Sequence, residues 1–272
     1  MNNIKIISMD FDGTLLTSDK RISNRTRNCL INLKKKSYII IGITARNLLS
    51  VKDIIDVSLF DYIILNNGSN IYYVNEDRIE IISSISNDVV KKIYSFCNNI
   101  ASQIDFCTPY QYLIKSKEKG DNRTFIKYID DLNDVNESIS RMNVFFENDK
   151  ELDNYKKLIE NEFKSVNVIR MVDTDISNSK RWLTINVVNV NKLNTLKKIC
   201  DDLKYSISEV IFFGDGENDL LLIENVGISV AMDNAVDIVK EKASYITLSN
   251  DNDGVADYLE KMLNNDNIWY NE

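Results

Sequence analysis

Ile4-Lys5-Ile6-Ile7-Ser8-Met9-Asp10-Phe11-Asp12-Gly13-Thr14-Leu15 is the stretch that decides how this chain is read. Its first half is an apolar run of strand length. Its second half is a turn carrying two carboxylates and a glycine. A buried strand that stops in acidic residues places chemistry at the strand's carboxyl end. The question for the rest of the sequence is whether other strands end the same way.

They do. Ser23 is placed to cap a helix running to about Lys36. A second strand, 38–43, ends at Thr44-Ala45-Arg46. A helix beginning near Asn47 runs toward Val57, and a third strand, 62–65, ends in Asn66-Asn67-Gly68. This alternation predicts a parallel sheet covered on both faces. The pattern changes at the polar residues 83–88. Two amphipathic helices, near 87–101 and 150–164, then lie among strand-like stretches at 142–146, 166–170 and 183–187. Strands without helices between them predict an α+β unit with an antiparallel sheet. A helix from about Lys192 and strands at 210–213, 228–231 and 245–247 restore the first pattern. The expected fold class is therefore α/β: a Rossmann-like core of residues 1–82 and 186–272, interrupted by an inserted α+β domain of residues 83–185. A chain of 272 residues suits two domains at roughly 150 residues each.

Composition removes several kinds of chemistry. The net charge of −8 argues against a nucleic-acid or anionic-membrane binder, which needs a basic face. No apolar run approaches the roughly 18 residues of a membrane span, and residues 1–7 do not read as a signal peptide, so a cytoplasmic protein is expected. The four cysteines are scattered and read as reduced, partly buried thiols. With no histidine, Ser-His-Asp, Cys-His and His-ligated zinc sites are impossible. No Gly-rich nucleotide loop is present.

What remains is carboxylate chemistry. Ligands bind beyond the carboxyl ends of strands in open parallel sheets, and Gly214-Asp215-Gly216-Glu217-Asn218-Asp219 ends the fourth core strand. Asp10, Asp12, Asp215 and Asp219 should converge there. Several close carboxylates need a counter-charge, and an all-oxygen site favours Mg²⁺. Such a site can hold a phosphoryl group. Asp10 is then placed to attack, and Asp12 to protonate the leaving oxygen. Thr44 and Asn218 offer neutral donors, and Lys192 a positive charge. Singly, each has a plainer reading: Asp-x-Asp-Gly as a turn, Thr44 as a helix cap, Lys192 as a solvated helix residue. Their order, each at a strand or helix end, favours the site.

These residues resemble the haloacid dehalogenase superfamily, whose four motifs are matched by Asp10 through Leu15, Thr44, Lys192, and Gly214-Asp215 through Asp219. Within it the chain is most similar to the Cof-like phosphatases. That likeness rests on the Gly214–Asp219 loop, Val230-Ala231-Met232-Asp233-Asn234-Ala235, Asn252-Asp253-Gly254-Val255 and the Asn67-Gly68 turn. The resemblance implies a C2-type cap and Mg²⁺ held by Asp10, Asp215 and the backbone carbonyl of Asp12, with Asp219 close by. It also implies phosphatase action on a small phosphorylated metabolite through an aspartyl phosphate. Arg46, Asn67, Asn178 and Lys180 are candidate substrate contacts, the last two in the 174–181 loop of the cap. A phosphomutase, or a catalytically silent binding module, shares the fold and stays open at this point. A monomer or weak homodimer is expected, with no nucleic-acid or membrane partner. Ala45, Leu193 and Leu222 depart from the family pattern without removing a catalytic group.

Overall fold

The computed structural model describes residues 4–116, 118–172 and 180–264. Along the chain the elements are β1 (Ile6–Asp10), α1 (Asn24–Lys35), β2 (Ile39–Ile43), α2 (Leu48–Lys52), β3 (Tyr62–Leu65), β4 (Asn70–Tyr73) and β5 (Arg78–Ile81). Then come α3 (Asn87–Cys97), β6 (Gln103–Cys107), β7 (Tyr112–Ser116), β8 (Ile126–Tyr128), β9 (Arg141–Phe146), α4 (Asp149–Glu162), β10 (Val166–Val172) and β11 (Arg181–Val187). The last third gives α5 (Lys192–Leu203), β12 (Val210–Gly214), α6 (Leu220–Ile223), β13 (Ile228–Ala231), α7 (Asp237–Lys242), β14 (Tyr245–Ile246) and α8 (Gly254–Leu263).

The chain divides into two compact units. One comprises Met1–Ala45, Ile54–Glu80 and Asn191–Glu272; the other comprises Arg46–Asp53 and Ile81–Val190. The first unit contains the sheet β14-β13-β12-β1-β2-β3-β4-β5. From β14 to β3 the pairings are all parallel. Strand β1 is buried at every position, as are β12 and β13. This is why those segments read as mainly apolar runs, interrupted by the small buried residues Ser8 and Ser229. Beyond β3 the sheet departs from the all-parallel expectation: β4 turns back antiparallel to β3, and β5 lies beside it at the edge. Asn67 and Gly68, at φ 56° and φ 104°, allow the reversal between β3 and β4.

Helix starts follow local chemistry. The Ser23 side chain accepts from the Thr26 amide, and Asn191 caps α5 in the same way through the Asn194 amide. Helix α2 is capped by Asn47 as expected but is only five residues long and ends at Lys52, short of Val57.

The second unit holds the sheet β10-β11-β9-β6-β7-β8. It is antiparallel except for the parallel pair β7–β8. Ile104, Phe106, Met142, Val144, Leu183 and Ile185 share a buried cluster with Val90 and Ile93 of α3 and Leu152 and Ile159 of α4. Side chains alternate across a strand, so the cross-strand rows Asp105–Asn143–Thr184 and Cys107–Arg141–Asn186 lie on the opposite face.

Candidate active site

Register places the motif residues at one level. Asp10 stands opposite Ile43, and Met9 opposite Phe213. One step further along the neighbouring strands are Thr44 and Gly214, followed by Asp215. Three segments distant in sequence therefore leave the sheet together, at its carboxyl edge.

The centre is an ion cluster sealed from solvent. Lys192 Nζ donates to Asp10 Oδ1 at 2.5 Å and to Asp219 Oδ1 at 2.7 Å, and all three residues are buried. Asp219 also accepts from the amides of Asp215 and Gly216 at 3.2 and 3.3 Å, so its carboxylate closes its own loop. The Thr14 hydroxyl donates to Asp215 Oδ1 at 2.7 Å. Gly13, at φ 80°, passes so close to Asp215 that a Cβ would lie 2.2 Å from Oδ2. The Asn67-Gly68 turn fixes the lysine. A Cβ on Gly68 would lie 2.4 Å from the Asn191 carbonyl oxygen, and Thr195 Oγ1 donates to the Gly68 carbonyl at 2.6 Å. Glycine thus lets the first turn of α5, which begins with Lys192, pack against the end of β3.

The electrostatics are unbalanced. Oxygens of Asp10, Asp215 and Asp219 lie within 4.8 Å of one another. Three carboxylates against one ammonium leave two negative charges. Burial pushes Asp10 up to about 7; Lys192 opposes the rise, and Asp219 and Asp215 add to it. Burial raises Asp215 as well, against its bond from Thr14. For Lys192 burial works against the charge, but Asp10 and Asp219 outweigh it and hold the ammonium above its ordinary range. The site lacks one divalent charge, and its donors are all oxygen. Asp10, Asp215 and Asp219 fit a hard divalent cation on both counts.

The other expected residues fall around this centre in different ways. Asp12 lies on the turn after β1, and its Oδ1 accepts from Lys20 Nζ at 2.8 Å. Thr44 is buried; its amide donates to the Ile64 carbonyl and its carbonyl accepts from the Asn67 amide. Asn67 Oδ1 is buried without a hydrogen-bond partner among the described residues. Asn218 is exposed on the Gly216–Asp219 loop. Arg46 and Lys180 belong to the second unit, where Lys180 is exposed and Arg46 acts on Tyr112 through its charge. Asn178 lies outside the described residues, with most of the 174–181 loop.

Four residues carried no role in the sequence reading. Thr14 stood inside a recognised motif, and its contact with Asp215 gives it a place. Asn234 Nδ2 donates to the Gly13 carbonyl at 2.7 Å, and Asn234 Oδ1 accepts from the Asn250 amide at 2.9 Å. Asn234 was visible in the Val230–Ala235 motif. Lys20 and Asn250 had no sequence signal.

The second unit has a polar arrangement of its own. Trp182 Nε1 donates to Thr184 Oγ1, and Thr184 Oγ1 to Asn143 Oδ1, each at 3.1 Å. Gln103 Nε2 donates to the buried Asp105 at 2.6 Å. Burial raises Asp105 to about 6, against hydrogen bonds from Gln103 and Asn143 and the charge of Arg141. Phe145 and Trp182 stack beside this row, with ring centroids 5.4 Å apart.

Comparison with known proteins agrees with this geometry. The family model for haloacid dehalogenase-like hydrolases matches residues 7–259. The 5-amino-6-(5-phospho-D-ribitylamino)uracil phosphatase YcsE of Bacillus subtilis is 27% identical over 93% of this chain and 94% of its own. YitU, a Bacillus subtilis phosphatase of the same description, is 28% identical over 94% and 96%. A haloacid dehalogenase-like hydrolase structure from Bacteroides thetaiotaomicron superposes with a TM-score of 0.81 at 26% identity, covering 95% of this chain and 99% of that one. The chain belongs to the haloacid dehalogenase-like hydrolases and is a Cof-like phosphatase, a phosphoric monoester hydrolase. Among the described residues no helix is long and apolar enough to cross a membrane.

Proposed function

We propose that this member of the haloacid dehalogenase-like hydrolases removes phosphate from a small metabolite in two steps, with Asp10 as nucleophile and Mg²⁺ at the Asp10–Asp215–Asp219 cluster. The observation that carries the reading is the buried Lys192 shared by Asp10 and Asp219, with Asp215 beside them and two negative charges uncompensated. The backbone carbonyl of Asp12 completes the proposed ligand set. When bound, the cation neutralises phosphoryl charge and orients that group.

The chain's own groups do the rest. A carboxylate oxygen of Asp10 forms a bond to phosphorus as the bond to the leaving oxygen breaks. The departing electron pair takes a proton from Asp12, giving an alcohol and a mixed anhydride on Asp10. Asp12, now a carboxylate, removes a proton from a water that attacks the same phosphorus. Asp10 is restored and inorganic phosphate released. Lys192 holds the Asp10 oxygen in place, and Thr44 and Asn218 supply donors to the phosphoryl oxygens.

The second unit, in this reading, is a cap that selects the leaving group. Its sheet face supports this, with Asp105, Asn143 and Arg141 side by side and the Phe145–Trp182 stack next to them. Arg46, Asn67, Asn178 and Lys180 remain proposed substrate contacts. The names of the two Bacillus subtilis relatives make a phosphorylated polyol bearing a pyrimidine the first candidate substrate.

The test is hydrolysis of para-nitrophenyl phosphate with Mg²⁺ and with EDTA, beside Asp10→Asn. Acid quenching during turnover should trap phosphate on the wild-type protein, in a linkage that hydroxylamine cleaves. Full activity in Asp10→Asn, or no trapped phosphate during rapid turnover, would sink the mechanism.

A further inference from the structure

Lys20 forms an exposed ion pair with Asp12. It bonds Asp12 Oδ1 at 2.8 Å, with side chains 51% and 39% exposed. Exposed pairs of this kind contribute little to stability. Yet the backbone that delivers Lys20 is held in an unfavourable shape. Lys20 has φ 59°, the left-handed region that non-glycine residues rarely adopt. The turn around it is closed by bonds from the Thr17 amide to the Arg21 carbonyl (2.9 Å) and from the Lys20 amide to the Thr17 carbonyl (2.8 Å). The Thr17 hydroxyl adds a bond to the Arg21 carbonyl at 3.1 Å.

The loop is also tied down from outside. Asn250 Nδ2 donates to the Leu16 carbonyl at 2.8 Å. The amide and hydroxyl of Ser18 donate to the two Asp251 carboxylate oxygens at 2.7 and 2.6 Å. Asn234 joins the same turn to the Gly13 carbonyl. Strain of this sort persists only where the surroundings over-determine it, and it gathers at functional sites. Here the over-determined object is the approach of one ammonium to one carboxyl oxygen.

The geometry assigns to Lys20 the task of orienting Asp12 for proton transfer. This rests on the reading of Asp12 as the acid that protonates the leaving group. With Oδ1 accepting from Lys20, a proton on Asp12 sits on Oδ2, and in this reading Oδ2 is the atom that hands it to the leaving oxygen. Once Oδ2 has given that proton to the departing alkoxide, the carboxylate faces an ammonium already in contact. Lys20 exchanges no proton with substrate; it is a positioning residue.

The readout is leaving-group dependence. An alkyl phosphate needs a proton at its departing oxygen, whereas para-nitrophenolate leaves without one. The ratio of kcat/KM for para-nitrophenyl phosphate to that for an alkyl phosphate should rise about tenfold in Lys20→Met, within the range of general-acid effects. It should return toward wild type in Lys20→Arg. Asp251→Ala, which loosens the loop without touching Asp12, should raise the ratio in the same direction. A disturbance of packing alone would lower both rates together and leave the ratio where it was. Asp12→Asn runs alongside. If it raises the ratio and Lys20→Met does not, the role of Lys20 is overturned while the phosphatase reading stands. If Asp12→Asn leaves the ratio unchanged, the acid role of Asp12 falls, and this inference with it.

Discussion

Lys192 Nζ sits between Asp10 Oδ1 and Asp219 Oδ1, bonded to both, with its side chain 3% exposed. A single ammonium thereby couples the proposed nucleophile to the loop after β12. Removing one partner of a buried ion pair strands the others and costs about 3–5 kcal/mol. Lys192→Met is expected to lose stability on that scale in urea unfolding and to lose at least about a hundredfold in kcat/KM. A variant as stable as wild type would show that the pair is not holding the centre together.

Metal binding should register without turnover. A cation at concentration c that binds only the folded protein stabilises it by RT ln(1 + c/Kd), so Tm climbs with the logarithm of its concentration above Kd. Mg²⁺ should raise the Tm of the wild-type protein, and EDTA should reverse the rise. Asp215→Asn removes one charge from the cluster and should lose most of the effect. An equal rise in both proteins would place the cation elsewhere.

Gly13→Ala tests the close approach at Asp215. A methyl there meets Asp215 Oδ2 at 2.2 Å and sits on a backbone at φ 80°. Left-handed strain alone costs about 1–3 kcal/mol. The variant should unfold at lower urea and require more Mg²⁺ for half-maximal activity. Unchanged Mg²⁺ dependence would mean that Asp215 relaxes freely.

Asp105 gives a pH dependence in the second unit. Its carboxyl rises from 3.8 in the unfolded chain to about 6 in the fold. A raised pKa means the folded state holds the proton more tightly. The contribution is therefore fully present below the unfolded pKa of 3.8 and is lost as pH climbs through about 6. The difference, 6 − 3.8 at 1.36 kcal/mol per unit, bounds the effect at about 3 kcal/mol. Relative to wild type, Asp105→Asn should gain stability between pH 4 and pH 7. A pH-independent difference in urea midpoints would contradict this.

The parallel strands were legible because burial on both faces leaves little but isoleucine, valine and phenylalanine in β1, β2 and β12. The centre was legible because each of those strands stops at a carboxylate, threonine or glycine. Strands β4, β5, β6, β7 and β8 went unread. They hold strand-favouring residues such as Ile71-Tyr72-Tyr73 and Tyr112-Leu113-Ile114, but they are short and interrupted by polar positions such as Asn70 and Asp105, and pairing with neighbouring strands decides the matter. Helix α2 was read too long because the apolar residues after Lys52 pack as irregular chain. The contact of Lys20 with Asp12 was invisible for a different reason: it depends on a left-handed residue in a turn closed by hydrogen bonds, which no spacing of residue types encodes.

Strand order has a consequence for how the protein is made. In the eight-stranded sheet β1 pairs with β12 and sets Ile6 opposite Val210. During synthesis β1 leaves the ribosome long before β12, its neighbour on one side, which lies in the last third of these residues. Residues 81–190, by contrast, are continuous in sequence and supply the buried cluster of the second unit. Contacts close in sequence form sooner than distant ones. On chains arrested after β11 has cleared the ribosome and before β12 has, protease protection is expected across the helices and strands α3 to β11 while β1 is still open to cleavage. Strand β1 would then wait while the second unit is made, and during that wait chaperones have a reason to attend to Ile4–Met9.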